Sequence, residues 1–140
     1  MLGHDAGSLL YAMNRSLHRL PARYAVARLD PGIGWPWWAT WSEGLAAIVR
    51  TPTECSVVCE DRFVPPDVLA ERGYVAFAVD GPIPFEETGV ISGLTQPLAT
   101  AGISVFAIAT YDTDYLLVRE AAAEEAIRAW QHAGHDVSPA

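Results

Sequence analysis

Residues 24–29 and 74–79 follow the period-two pattern of a half-buried strand, and each run stops at an aspartate beside proline and glycine. Residues 45–50, 55–59, 103–109 and 115–118 are rich in β-branched and aromatic side chains and also read as strands. Between 79 and 103 the period changes. Val90, Ile91, Leu94, Leu98 and Ala101 form one apolar face and predict a helix over 88–101, with Thr88 as N-cap and Gly102 as the left-handed stop. Pro97 falls late in that helix and is expected to kink or loosen a turn. Residues 121–133 predict a second helix, with Ile127 and Trp130 inward, Glu124 and Arg128 paired outward, and Gly134 ending it. A short last strand is expected over 135–138. Residues 73–140 therefore read β-α-β-β-α-β, the ferredoxin-like order.

The chain also repeats itself. RYAVARLDPG (23–32) resembles GYVAFAVDGP (73–82), and AAIVRTPTECSVVC (46–59) resembles FAIATYDTDYLLVR (106–119), aligning Thr53 and Glu54 with Thr113 and Asp114. In the first copy only PGIGWPWWATWSE separates the first two strands, room for about one helical turn, and 65–72 reads as a short second helix. The expected class is α+β: two tandem ferredoxin-like (βαββαβ) units with antiparallel sheets, the first with shortened helices. The expected boundaries are a partly disordered N-terminal extension at 1–20, a degenerate first unit at 21–72 and a second unit at 73–140.

Composition narrows the function. The chain has 140 residues and a net charge of −8, with no lysine, a surface that repels phosphate and argues against nucleic acid. No apolar run reaches the ~18–20 residues that span a bilayer, and the apolar stretch near the N-terminus is too short for a secretory signal, so a cytoplasmic, membrane-free protein is expected. Cys55 and Cys59 on one strand would lie about 13 Å apart, too far for a disulfide, and read as buried free thiols. His132 and His135 read as decoration of a helix C-terminus. No metal spacing, phosphate loop or nucleophile–histidine–acid order is present, so no metal, cofactor or catalytic residue is expected, and the protein is read as not an enzyme. Trp35, Trp37, Trp38 and Trp41 are read either as a cover for a bare sheet face or as an aromatic platform.

The segment TYDTD (110–114), set between two apolar runs, is the densest polar feature. It suits a hairpin turn, because aspartate side chains bond nearby backbone N–H groups. It also suits a zwitterion site: backbone N–H groups at Thr88, Gly89 and Val90 for a carboxylate, Asp114 for an ammonium, Glu86 and Glu87 for a basic group, Thr110 and Tyr111 for a hydroxyl contact and a ring wall.

The stretch GVISGLTQPLATAGISVFAIATYDTDYLLVRE (89–120) resembles the ACT-domain superfamily. LTQPLATAGIS followed by ATYDTDYLLV is more closely similar to the tandem ACT-like domains of the cytosolic arginine-sensor family and their small bacterial relatives. The resemblance implies a regulatory amino-acid-binding module made of ACT-like units. Its pocket would use Glu87, Val90, Thr110, Tyr111 and Asp114, with Thr88 and Gly89 at the helix start, completed by Ser104 and Val105 of a second copy in a homodimer. Pro84 stands where that family's pocket has a glycine. The alternative is a ligand-free protein–protein interaction module.

Overall fold

A computed structural model describes residues 14–139. In chain order these form β1 (Ser16–Leu29), β2 (Ala47–Arg50), β3 (Cys55–Glu60), β4 (Ala70–Val79), α1 (Val90–Thr100), β5 (Phe106–Ala109), β6 (Asp114–Arg119), α2 (Ala123–His132) and β7 (Asp136–Ser138), with short 3-10 turns at Trp37–Trp41, Asp61–Phe63 and Glu120–Ala122. The class is α+β with a ferredoxin-like strand arrangement. No helix among the described residues is long and apolar enough to cross a membrane. The chain divides into two compact units, one of residues Leu20–Ala76 and the other from Phe77 onward together with the described residues up to Arg19. β1 thus takes in Ser16–Leu20, which the sequence reading assigned to an extension. Residues 1–13 lie outside the described residues.

In the Leu20–Ala76 unit the strand order is β2-β3-β1-β4, with β1 and β2 both antiparallel to β3. Ala25 and Ala27 share a face with Cys55, Val57 and Cys59, and Ala39, Trp38 and Val64 pack on it. Both cysteines are buried and free. Burial, with the charges of Glu60 and Asp61, pushes the Cys59 thiol up to about 11, so it is an inert core group. Of the tryptophan run only Trp38 joins this core. Trp35, Trp37 and Trp41 are 54%, 68% and 60% exposed, so the run is not the sheet cover expected.

The helix expected over 65–72 is absent. Pro65 and Pro66 open an irregular stretch that enters β4 at Ala70. Carbonyls that a helix would have used, those of Val64 and Pro65, are instead bonded by the Arg72 guanidinium at 3.0 and 2.9 Å, while the same group grips Asp61 at 2.7 Å. Those contacts reach back across the irregular stretch from the start of β4 and leave no periodic signature in the sequence.

In the other unit β4 neighbours β6 and β6 neighbours β5, while β7 lies parallel to β1, with Ser16 opposite Asp136. Its core contains Leu17, Phe77, Leu94, Leu98, Leu116 and Trp130. Trp130 meets Phe77 edge-on at 4.9 Å and donates its indole N–H to the Leu94 carbonyl at 2.8 Å. α1 begins at Val90, and its N-cap is Gly89, not Thr88. Gly89 has φ +83°, a conformation that glycine adopts without strain. Ile91, expected on the apolar face, is 38% exposed, whereas Val90 beside it is buried. Glu124 lies 3.6 Å from Arg19 of β1.

Pro97 lies inside α1 and has no N–H to give the Gly93 carbonyl four residues before it. That carbonyl faces His135 Nε2 at 3.1 Å, and His135 Nδ1 accepts the Arg15 backbone N–H at 2.9 Å. An acceptor role at Nδ1 leaves Nε2 as the donor, so the ring is neutral with its proton on Nε2. His135 is 4% exposed and is a structural core group, not a helix-end decoration.

Both hairpins close on the same threonine turn. Thr51 and Thr110 each donate their backbone N–H, at 2.8 Å, to the carbonyl three residues on (Glu54 and Thr113), and each hydroxyl bridges the same two residues. Thr51 is therefore the counterpart of Thr110, and Glu54 of Thr113, one residue out of step with the sequence alignment.

His135→Ala is expected to cost about 2–4 kcal/mol by orphaning two buried backbone groups. Pro97→Ala in the same chain supplies a backbone N–H for Gly93 and should recover about 1 kcal/mol, a coupling that a double-mutant cycle in urea unfolding measures. Strict additivity would show that His135 does not serve the proline.

Candidate functional site

After β4 the chain turns at Asp80 and Gly81, with the Gly81–Pro82 peptide cis, and folds back onto the hairpin turn. Ile83 donates its N–H to the Asp112 carbonyl at 2.7 Å, and the Thr113 hydroxyl donates to the Val79 carbonyl at 2.6 Å. A Cβ at position 81 would sit 3.1 Å from the Asp112 oxygen, so glycine permits this approach. Glu87 then closes a turn onto the Pro84 carbonyl at 3.0 Å, and α1 starts three residues later.

These segments enclose a cavity of about 400 Å³, lined among others by Glu87, Gly89, Val90, Thr110, Tyr111 and Asp114. Six of the residues expected at the site thus converge. Thr88 lies between two lining residues but is not itself in the wall. Ser104 and Val105 are not in the wall either, because they precede β5 and the cavity is at its other end, roughly 16 Å of extended chain away. The Thr110 hydroxyl is spent within the hairpin turn, as that of Thr51 is, so its place in the wall is structural.

Several wall residues were not foreseen. Phe85, 70% exposed, meets Tyr111, 79% exposed, edge-on at 4.7 Å, and the pair forms an aromatic lip. Ile83, Ile91 and Asp112 also line the cavity. A lone phenylalanine inside GPIPFEET was the available signal for the lip.

The charges are unevenly satisfied. Glu87 forms an ion pair with Arg15, Nη2 to Oε2, and the two side chains are 25% and 18% exposed. Asp114 is half-buried, and desolvation pushes its carboxyl above the usual aspartate value, against an opposing pull from the Arg15 charge. The first N–H groups of α1 receive no side-chain cap.

A larger cavity, about 820 Å³, lies within the Leu20–Ala76 unit, walled by Pro21, Tyr24, Glu43, Glu60 and Arg62 among others. Its polar groups are occupied with one another. Glu60, 3% exposed, receives the N–H of Glu43 at 2.6 Å and of Gly44 at 2.9 Å, with the Ser42 hydroxyl at 3.1 Å and Arg62 Nε at 3.1 Å. Burial alone would raise this carboxyl, but those donors outweigh it and hold it below the usual glutamate value. Position 44 is glycine because a Cβ there would collide with the Tyr24 hydroxyl, which accepts the Leu45 N–H at 3.1 Å. This carboxylate is saturated from within, whereas Asp114 is not, and so the smaller cavity is the candidate site.

A family model described as the ACT domain matches residues 69–131, and a second, described as an N-terminal domain, matches residues 22–67. Among curated proteins none matches the sequence. Among solved structures, the protein Atu0741 from Agrobacterium tumefaciens is 35% identical with a TM-score of 0.85, covering 91% of this chain and 94% of that one. The chain belongs to one family with Atu0741, and its residues 69–131 match the ACT domain. Two more distant likenesses concern the fold alone. VC0802 from Vibrio cholerae, described as a protein of unknown function and possible transport protein, is 20% identical with a TM-score of 0.73, covering 91% of this chain and 97% of that one. The ligand-free regulatory subunit of aspartate kinase from Thermus thermophilus is 12% identical with a TM-score of 0.56, covering 80% and 93%.

Glu60→Gln is expected to destabilise the fold by about 1–3 kcal/mol at neutral pH. A carboxyl held low in the folded state contributes its full stabilisation above the ordinary glutamate value of 4.5 and loses it as the pH falls below that, so the wild-type advantage should shrink in acid. Denaturant unfolding of both proteins across pH measures the difference.

Proposed function

We propose that this protein is a non-catalytic regulatory module that binds an amino acid in the cavity between the 80–89 loop, the first turn of α1 and the TYDTD turn. One juxtaposition carries the reading: a desolvated carboxylate, Asp114, and the uncapped start of α1 at Gly89 and Val90 share one small cavity. A zwitterion satisfies both, its ammonium on Asp114 and its carboxylate on the helix N–H groups. The match of residues 69–131 to the ACT domain supports the regulatory role, as does the likeness in fold to an aspartate kinase regulatory subunit. We read the first unit as a trimmed counterpart of the second, on its β2-β3-β1-β4 order and the shared threonine turn. Ser104 and Val105 would reach a site only from a second copy, so the homodimer belongs to this proposal.

A second reading, docking of a protein on the first unit, is favoured by the exposed Trp35, Trp37 and Trp41. It requires no ligand in the cavity.

A thermal-shift panel of the twenty amino acids at millimolar concentration tests the first reading, since a ligand at about 100 times its Kd adds roughly 2.7 kcal/mol. No upward shift with any of them would end it. Asp114→Asn separates binding from folding. A carboxyl whose folded value is raised contributes stability below its ordinary value and costs it as pH rises through the folded value. The asparagine variant should therefore be as stable as wild type at neutral pH, or more so, while losing the ligand-induced shift.

A further inference from the structure

We propose that Arg15 sets the specificity of this cavity: by occupying Glu87 it takes the place of a cationic ligand group, and the site selects an amino acid with an apolar side chain over a basic one. This rests on the amino-acid reading above and deepens it.

The argument starts from the acids in the wall. Glu87, Asp112 and Asp114 all line the cavity. Asp112 is exposed, and its backbone carbonyl holds Ile83. Glu87 is the acid beside the start of α1, and its carboxylate is bound to the Arg15 guanidinium. This is a partly buried pair, with side chains 18% and 25% exposed, so a solvated lysine or arginine from outside must displace a group already desolvated and in place. Arg15 is also fixed from behind. Its N–H is held by His135, and its carbonyl takes the Asp136 N–H at 2.9 Å. Among the described residues its Nε is buried without a hydrogen-bond partner, which leaves Glu87, with Asp114 nearby, to offset the cost of burying the guanidinium. The ion pair is thereby held closed.

With Glu87 committed, Asp114 remains as the half-buried acid for one positive charge, which the α-ammonium supplies. Beside Asp112 at the exposed edge and the turn threonines Thr110 and Thr113, the wall offers Ile83, Val90, Ile91 and the Phe85–Tyr111 lip as apolar surface. A branched or aromatic side chain buries against these rings, whereas a guanidinium or ε-ammonium is desolvated there without a free carboxylate at Glu87.

Isothermal titration of the whole chain with L-leucine, L-phenylalanine, L-arginine and L-lysine reads the preference directly. Wild type should bind leucine or phenylalanine at least about tenfold more tightly than arginine or lysine. Arg15→Gln frees Glu87, so arginine should gain about tenfold and more than leucine changes, while Arg15→Lys keeps a cation at Glu87 and should keep the wild-type order. The wild-type panel stands whether or not the variants fold. If arginine or lysine binds wild type as tightly as leucine, this inference is overturned and the amino-acid reading survives. If no amino acid binds, that reading falls and takes the inference with it.

Discussion

The imidazole of His135 is the pivot of the unit that holds both helices. Pro97 removes one helix bond from α1, and the Gly93 carbonyl it strands is satisfied from a residue 42 positions away. The same ring accepts the N–H of Arg15 and so anchors the start of β1 against α1. Three elements meet at one neutral side chain, and each of its nitrogens has a fixed role. A buried polar ring of this kind is worth having only when both nitrogens are matched, which they are here.

The consequence runs outward to the surface. Because His135 and the Asp136 N–H hold the Arg15 backbone, its side chain is aimed at Glu87. Glu87 is in turn held by a backbone turn from Pro84, which descends from the loop that Ile83 ties to Asp112. The loops around the cavity are therefore fixed by backbone hydrogen bonds, with the Thr110 and Thr113 hydroxyls adding to them. The two units handle a buried acid in opposite ways. Glu60 gathers two backbone N–H groups, a hydroxyl and a guanidinium around itself. Asp114 keeps its desolvation cost, with only the Arg15 charge against it. Incomplete electrostatic satisfaction at Asp114, against the completed set at Glu60, is the asymmetry on which the proposed site rests.

Much of the fold was legible because it is local. The period-two run before Val79, the helical spacing of Val90, Leu94 and Leu98, and the inward Trp130 are all where the pattern puts them. Two of the failures come from side chains that satisfy backbone groups outside their own helical turn, and a third from backbone conformation. Residues 65–72 carry enough helical character to mislead, because the Arg72 contacts that replace helix bonds cannot be seen in a linear reading. His135 looked like a helix-end residue because the carbonyl it serves is created by a proline in another helix. Thr88 is a good N-cap by residue type, yet the chain reaches α1 through a positive φ that favours Gly89. At the site the sequence pointed to the acids and the ring of Tyr111, but not to the cation. Arg15 sits in a stretch read as an extension, and nothing local pairs it with Glu87.

The TYDTD segment divides its labour residue by residue. Thr110 and Thr113 build the turn, as their counterparts Thr51 and Glu54 do in the first hairpin. Asp112 contributes a backbone carbonyl that fixes the facing loop. Tyr111 projects outward to meet Phe85. The turn alone therefore explains the threonines, and the second threonine turn shows that two aspartates are not needed to make it, since Pro52 and Thr53 fill its centre in the other hairpin. What turn formation leaves unexplained is the carboxylate of Asp114, at the first position of β6, where a β-branched residue would pack at no electrostatic cost. A desolvated acid at the head of a strand, facing a helix start and flanked by a lip of two exposed rings, is a costly arrangement for a scaffold and a productive one for a receptor.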